Sequence, residues 1–153
     1  MKLTDMRDVM LSLQDANDRL GAEDQVIVQF IKSYFEQMFE VEQDDVRFHE
    51  SRLADDPESL LNSMEASVKR QSRIHEQFWC NHGEFYKPSG TSNNPDHDWS
   101  RVESFRVLRT GDGANPQFAF FFLYKDDLVG SRYLRCFFLK VVEGNPRIEH
   151  YFF

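Results

Sequence analysis

The sequence predicts a single α+β domain in which N-terminal helices pack on a curved antiparallel sheet. Two patterns lead there. Apolar residues recur at helical spacing through the first half, and apolar runs separated by turn formers fill the last third. Helices first and strands afterwards is the segregated α+β order, not the alternating α/β one. A chain of 153 residues fits one domain, 1–153, and is long enough to bury a core without disulfides or metals.

The first helix is expected over residues 4–20. Met6, Val9, Met10, Leu13 and Leu20 share a face, Thr4 suits the N-cap and Gly21 ends it. It reads as an extension (1–21) ahead of the core (22–153). In the second helix Val26, Ile27, Phe30, Ile31, Tyr34, Phe35, Met38 and Phe39 form a wide aromatic stripe. Asp24 is placed to cap it, and Glu42, Asp44 and Asp45 read as an acidic exit. The third opens with Asp56-Pro57-Glu58: Asp accepts from free N–H groups, Pro fits the first turn, and Glu favours the positive helix end. Its buried side is expected to carry Leu60, Leu61, Met64, Val68, Ile74 and Phe78, with Lys69, Arg70 and Arg73 in the later half.

Residues 79–100 are rich in Gly, Pro, Asn and Ser and read as a long loop with a short strand near Glu84–Lys87. Loops of this length in a compact domain are usually functional or disordered, and Phe85, Tyr86 and Trp99 argue for an anchored one. Four strands follow: Val102–Arg109, Phe118–Tyr124, Tyr133–Val142 and Arg147–Phe153. Gly111-Asp112-Gly113 and Glu143-Gly144-Asn145-Pro146 mark turns. The run FAFFFLY is apolar at every position, which requires cover on both faces and therefore a central strand.

Net charge is −8, and it is unevenly placed. Residues 1–60 hold 15 acidic and 6 basic side chains, whereas residues 61–153 are close to balanced. An acidic front disfavours nucleic acid and suits a basic protein partner, because opposite charge speeds encounter. No apolar stretch reaches membrane-span length and the N-terminus lacks a secretory apolar core, so a cytoplasmic protein with no membrane partner is expected. Cys80 and Cys136 are too few for a disulfide framework and read as reduced, buried thiols.

Two segments carry a family likeness. One runs Phe78…Phe85-Tyr86…Ser89…Ser92-Asn93-Asn94-Pro95…Asp98…Val102-Glu103. The other runs Tyr133-Leu134…Phe138-Leu139-Lys140-Val141-Val142-Glu143-Gly144-Asn145-Pro146-Arg147-Ile148-Glu149. Together they resemble the bacterial immunity proteins of nuclear-transport-factor-2 fold, over roughly residues 24–152. The sequence departs at Pro146, where the family's Trp is usual, and at Glu149, where it has Asp. The extra helix at 4–20 has no counterpart. The resemblance implies a cystatin-like cone, made beside a toxin and binding that toxin's catalytic domain to neutralise it, with no catalysis and no cofactor.

Candidate contacts follow from charge and aromatics. Asp44, Asp45, Asp55, Asp56 and Glu58, with Phe48, flank the connection between the second and third helices. Phe85, Tyr86 and Trp99 anchor the long loop. Charge for steering plus aromatic anchors is what a protein-binding surface needs. The C-terminal His150-Tyr151-Phe152-Phe153 offers a strand edge for a homodimer formed through the sheet.

The alternative is a small-molecule-binding or isomerase/dehydratase-like enzyme on the same fold. It needs an inward acid or base, for which Asp98, His97, Tyr34, Tyr124 and His150 are the candidates. The histidines at 49, 75, 82, 97 and 150 and the Cys80-Asn81-His82 run contain neither an H-x3-H nor a C-x2-C pair, so no metal is expected.

Overall fold

The computed structural model describes residues 21–80, 95–110, 116–126 and 130–152. The expected helix at 4–20, the strand near Glu84–Lys87 and the turn at Gly111-Asp112-Gly113 lie outside these residues. The order is α1 (Ala22–His49), a 3-10 turn (Arg52–Asp55), α2 (Pro57–Phe78), a second 3-10 turn (Trp99–Arg101), then β1 (Val102–Thr110), β2 (Gln117–Lys125), β3 (Arg132–Val142) and β4 (Asn145–Phe152). This is an α+β layout. Among the described residues no helix is long and apolar enough to cross a membrane.

The chain divides into two compact units. One holds the sheet with α1 up to Ile31; the other is Lys32–Trp99. In the sheet unit the strands run β1-β2-β3-β4, all antiparallel, in an open meander. β2 pairs on both sides and is buried at Phe118, Ala119, Phe120, Phe122, Leu123 and Tyr124, so the apolar run is central as its composition requires.

Alternation gives the two sheet faces different surroundings. Phe118, Phe120 and Phe122 share a face with Phe137 and Leu139, and all five are buried at 2 % exposure or less. Phe105 stacks on Phe120, Phe122 on Phe137, and Phe137 on Tyr151 at 4.2 Å between centroids. Ile27, Val28 and Ile31 of α1 are buried in this unit, and Glu23 forms a bidentate ion pair with Arg109. On the opposite face Phe121 and Phe138 are half-buried, and Phe152 is exposed.

β3 and β4 join through Glu143-Gly144, both at positive φ (52° and 81°), the combination a tight two-residue hairpin of primed type demands. Pro146 is therefore already in β4, one residue after the strand begins. It is tolerated because β4 is an edge strand.

Two helical expectations are corrected. α1 does not exit at Glu42, Asp44 and Asp45 but continues to His49. No Gly or Pro interrupts the stretch, and Val41, at 1 % exposure, extends the buried row. That row runs through Ile27, Val28, Ile31, Tyr34, Phe35, Met38 and Val41, which leaves Phe30 and Phe39 half-buried and Val26 exposed. In α2 the buried side is Ser67, Gln71, Ile74, His75 and Phe78, whereas Leu61, Met64 and Val68 are exposed and Leu60 is half-buried. Asp56 does cap α2: its carboxylate accepts from the backbone N–H of Ser59 at 3.1 Å, with Pro57 next in line.

Phe120→Ala should destabilise the chain by about 3–5 kcal/mol, the cost of a large aromatic removed from a sealed core. Val26→Ala should change it by less than about 0.5 kcal/mol. Urea titrations of both variants measure this, and equal midpoints would refute the burial pattern.

Candidate functional site

Among the described residues, those of the helical unit, Lys32–Trp99, carry the densest polar chemistry. Tyr34 and His75 face each other from α1 and α2, with Tyr34 Oη 3.0 Å from His75 Nε2. His75 Nδ1 lies 2.6 Å from the Gln71 carbonyl oxygen, one helical turn earlier. A carbonyl only accepts, so Nδ1 carries the ring proton and Nε2 accepts from the tyrosine hydroxyl. Both side chains are sealed, at 1 % exposure each. Burial drives the His75 pKa down to about 4, so the ring is neutral at pH 7; the bond to Gln71 opposes the shift and nearby His97 adds to it.

A second chain of bonds lies beside the first. Gln71 Nε2 donates to Ser67 Oγ at 3.0 Å, and Ser67 Oγ donates to Asp45 Oδ2 at 2.7 Å. The i, i+4 spacing of Ser67, Gln71 and His75 puts all three on one face of α2, and that face is the buried one. Glu42 makes the third link. One carboxylate oxygen accepts from the backbone N–H of Asp96 and the other from His97 Nδ1. This fixes the segment leading into Trp99 onto α1.

Aromatic rings enclose these groups. The Tyr34 ring contacts His75, Phe78, Trp79 and His97 at centroid distances of 5.3–6.5 Å. Phe35 meets His97 at 5.3 Å and Trp99 at 5.7 Å, both edge-on. The structure thus joins two residues weighed for acid–base work, Tyr34 and His97. Glu42 would hold the imidazole orientation and Nε2 would be its chemical end. Asp98 is half-buried in the same segment. Tyr124 and His150 belong to the sheet unit, where Arg135 lies 4.1 Å over the Tyr124 ring and 3.3 Å from the Tyr151 hydroxyl. Among the described residues no cluster of His, Cys, Asp and Glu could hold a metal ion.

The expected contact residues separate by role. Asp44 is exposed and bonded to Arg70 at 2.7 Å and Arg47 at 3.4 Å, so its charge is already met. Asp45 is half-buried on Ser67 and belongs to the interior. Phe48 is half-buried near the end of α1, where its carbonyl accepts from Ser51 Oγ at 2.6 Å. Asp56 is occupied as the α2 cap; its bonds from the Ser59 side chain and backbone lower its pKa. Asp55 and Glu58 are exposed, with no ion pair among the described residues. Trp99 is half-buried against Phe35. Phe85 and Tyr86 lie outside the described residues.

Three residues that the sequence pattern assigns to the buried side of α2, Leu61, Met64 and Val68, are instead on the surface, as is Leu53 of the 3-10 turn. Leu53, Leu61, Met64 and Val68 are 60 %, 57 %, 54 % and 45 % exposed, the largest set of exposed apolar side chains in the helical unit. Leu61, Met64 and Val68 stand three and four residues apart and line one stripe of α2.

Comparison with protein-family models, with curated proteins and with solved structures gives no match.

Tyr34→Phe should cost about 1–3 kcal/mol, because His75 Nε2 keeps its burial and loses its donor. The pH dependence has a definite sign. The folded pKa of His75 is depressed, so only the unfolded chain takes up its proton between pH 6.5 and about 4. Its contribution is whole above pH 6.5 and is lost as pH falls toward 4. The loss is on the order of 3 kcal/mol. Denaturation midpoints across that range should slope less steeply in His75→Gln than in the parent chain; parallel curves would rule the assignment out.

Proposed function

We propose that this chain is a protein-binding module that neutralises a partner by covering it, in the manner of a bacterial immunity protein whose partner is a toxin domain. The observation that carries the reading is the exposed stripe Leu61, Met64 and Val68 of α2 beside Glu58 and Glu65, preceded by the exposed Leu53 and Asp55 of the 3-10 turn. Exposed large apolar side chains grouped on one face mark interaction surfaces, and a charged border adds steering. The α+β order agrees with the fold that the resemblance implies, and the acidic first part suits a basic partner. Occlusion requires affinity and no chemistry. In keeping with this, Tyr34, Gln71, His75 and Glu42 bond one another or the backbone and are each 6 % exposed or less.

A second reading, an acid–base enzyme, is favoured by one observation: His97 is held by a buried carboxylate next to Tyr34. Substrate would have to reach the ring past its aromatic neighbours.

Co-expression with the protein of a neighbouring reading frame, which this reading expects to be a growth-arresting toxin, tests the first reading. The parent should restore growth. L61E/M64E should lose rescue while keeping its helical circular dichroism. H97A should keep rescue. Growth that survives L61E/M64E would sink the reading, whereas loss on H97A in a folded protein would favour the enzyme.

A further inference from the structure

The segment Leu53–Val68 has an unusual charge pattern for its exposure. It holds four carboxylates, Asp55, Asp56, Glu58 and Glu65, and no Lys or Arg; Arg52 stands before it and Lys69 after it. All four are exposed. Asp56 is engaged with Ser59, but Asp55, Glu58 and Glu65 form no ion pair among the described residues. Some exposed carboxylates elsewhere do find cations, as Asp44 finds Arg70 and Glu23 finds Arg109; what sets this segment apart is that its carboxylates border exposed apolar side chains.

Helical spacing puts the unmatched charge against the apolar row. Glu58 precedes Leu61 by three residues. Glu65 follows Leu61 by four and precedes Val68 by three. The apolar row spans about 10 Å of helix. The backbone of α2 is bonded internally, so it has no unpaired edge to which a strand could add. What it offers is a ridge of side chains, and the complement of such a ridge is the groove of another helix.

We infer that this face of α2 receives an amphipathic helix of the partner protein, apolar along its centre and carrying Lys or Arg on the border that meets Asp55, Glu58 and Glu65. The inference rests on the protein-binding reading and adds to it the secondary structure and charge of what docks. The change of sign at Lys69 also gives the docked helix a polarity. Its cations lie over residues 55–65, and an acidic side chain is accommodated at Lys69, which follows Glu65 by four residues.

A synthetic peptide of about 18 residues, with Leu on one face and Lys along its borders, is the probe. Titrated into the full chain with backbone amide shifts as the readout, it should move residues 53–68. Its affinity should fall several-fold between about 0.05 and 0.2 M salt. E58K/E65K should weaken it roughly tenfold, and E58Q/E65Q, gentler on the helix start, should weaken it less. Equal binding by the same peptide with Glu for Lys, or by a scrambled sequence, would overturn the inference. So would unchanged affinity in a folded E58K/E65K. If the peptide arms fail and L61E/M64E still abolishes growth rescue, the helical cationic partner is wrong and the protein-binding reading stands. If rescue survives L61E/M64E, both fall.

Discussion

The hydrogen bond from Tyr34 to His75 is the constraint on which the helical unit is organised. An imidazole and a phenol have been taken out of water together, and each meets a polar atom of the other. The bond fixes the ring orientation of His75, which in turn uses the Gln71 carbonyl. The side chain of Gln71 then reaches Ser67, and Ser67 reaches Asp45. A helix pair whose contact face is polar would otherwise slide; paired donors and acceptors at fixed turns give it a single register. The apolar side chains excluded from that face, Leu61, Met64 and Val68, are left pointing outward.

This arrangement explains what could be read from the sequence and what could not. The α2 start was readable because Asp56-Pro57-Glu58 acts locally, through bonds no more than three residues long. The central position of β2 was readable because an unbroken apolar run admits no exposed face. The inner face of α2 was not, because periodicity locates an apolar stripe without saying whether the stripe is buried. Here the buried positions are Ser67, Gln71 and His75, which look solvated until their partners are known. The end of α1 is hidden in the sequence for a related reason. Acidic residues resemble an exit, yet Glu42 and Asp45 point to partners within the unit.

The candidate contact residues divide along the same line. Asp55 and Glu58 keep their expected surface character, whereas Asp45 is an interior acceptor and Asp56 a cap. The link from Glu42 to His97 spans 55 residues and has no local signature. It joins the segment entering Trp99 to α1 and leaves the sheet unit with its own stacked aromatic core of Phe105, Phe120, Phe122, Phe137 and Tyr151.

The aromatic residues are not shared evenly between the units. Both tryptophans of the chain, Trp79 and Trp99, fall within Lys32–Trp99, and the sheet unit has Tyr124, Tyr133 and Tyr151 instead. Intrinsic emission excited on the red edge of the indole band therefore reports on the helical unit alone. Near-ultraviolet dichroism also registers the tyrosines of the strands. A pair of optical signals already present in the natural chain can thus tell whether the two units melt as one cooperative body or in sequence, with no label attached.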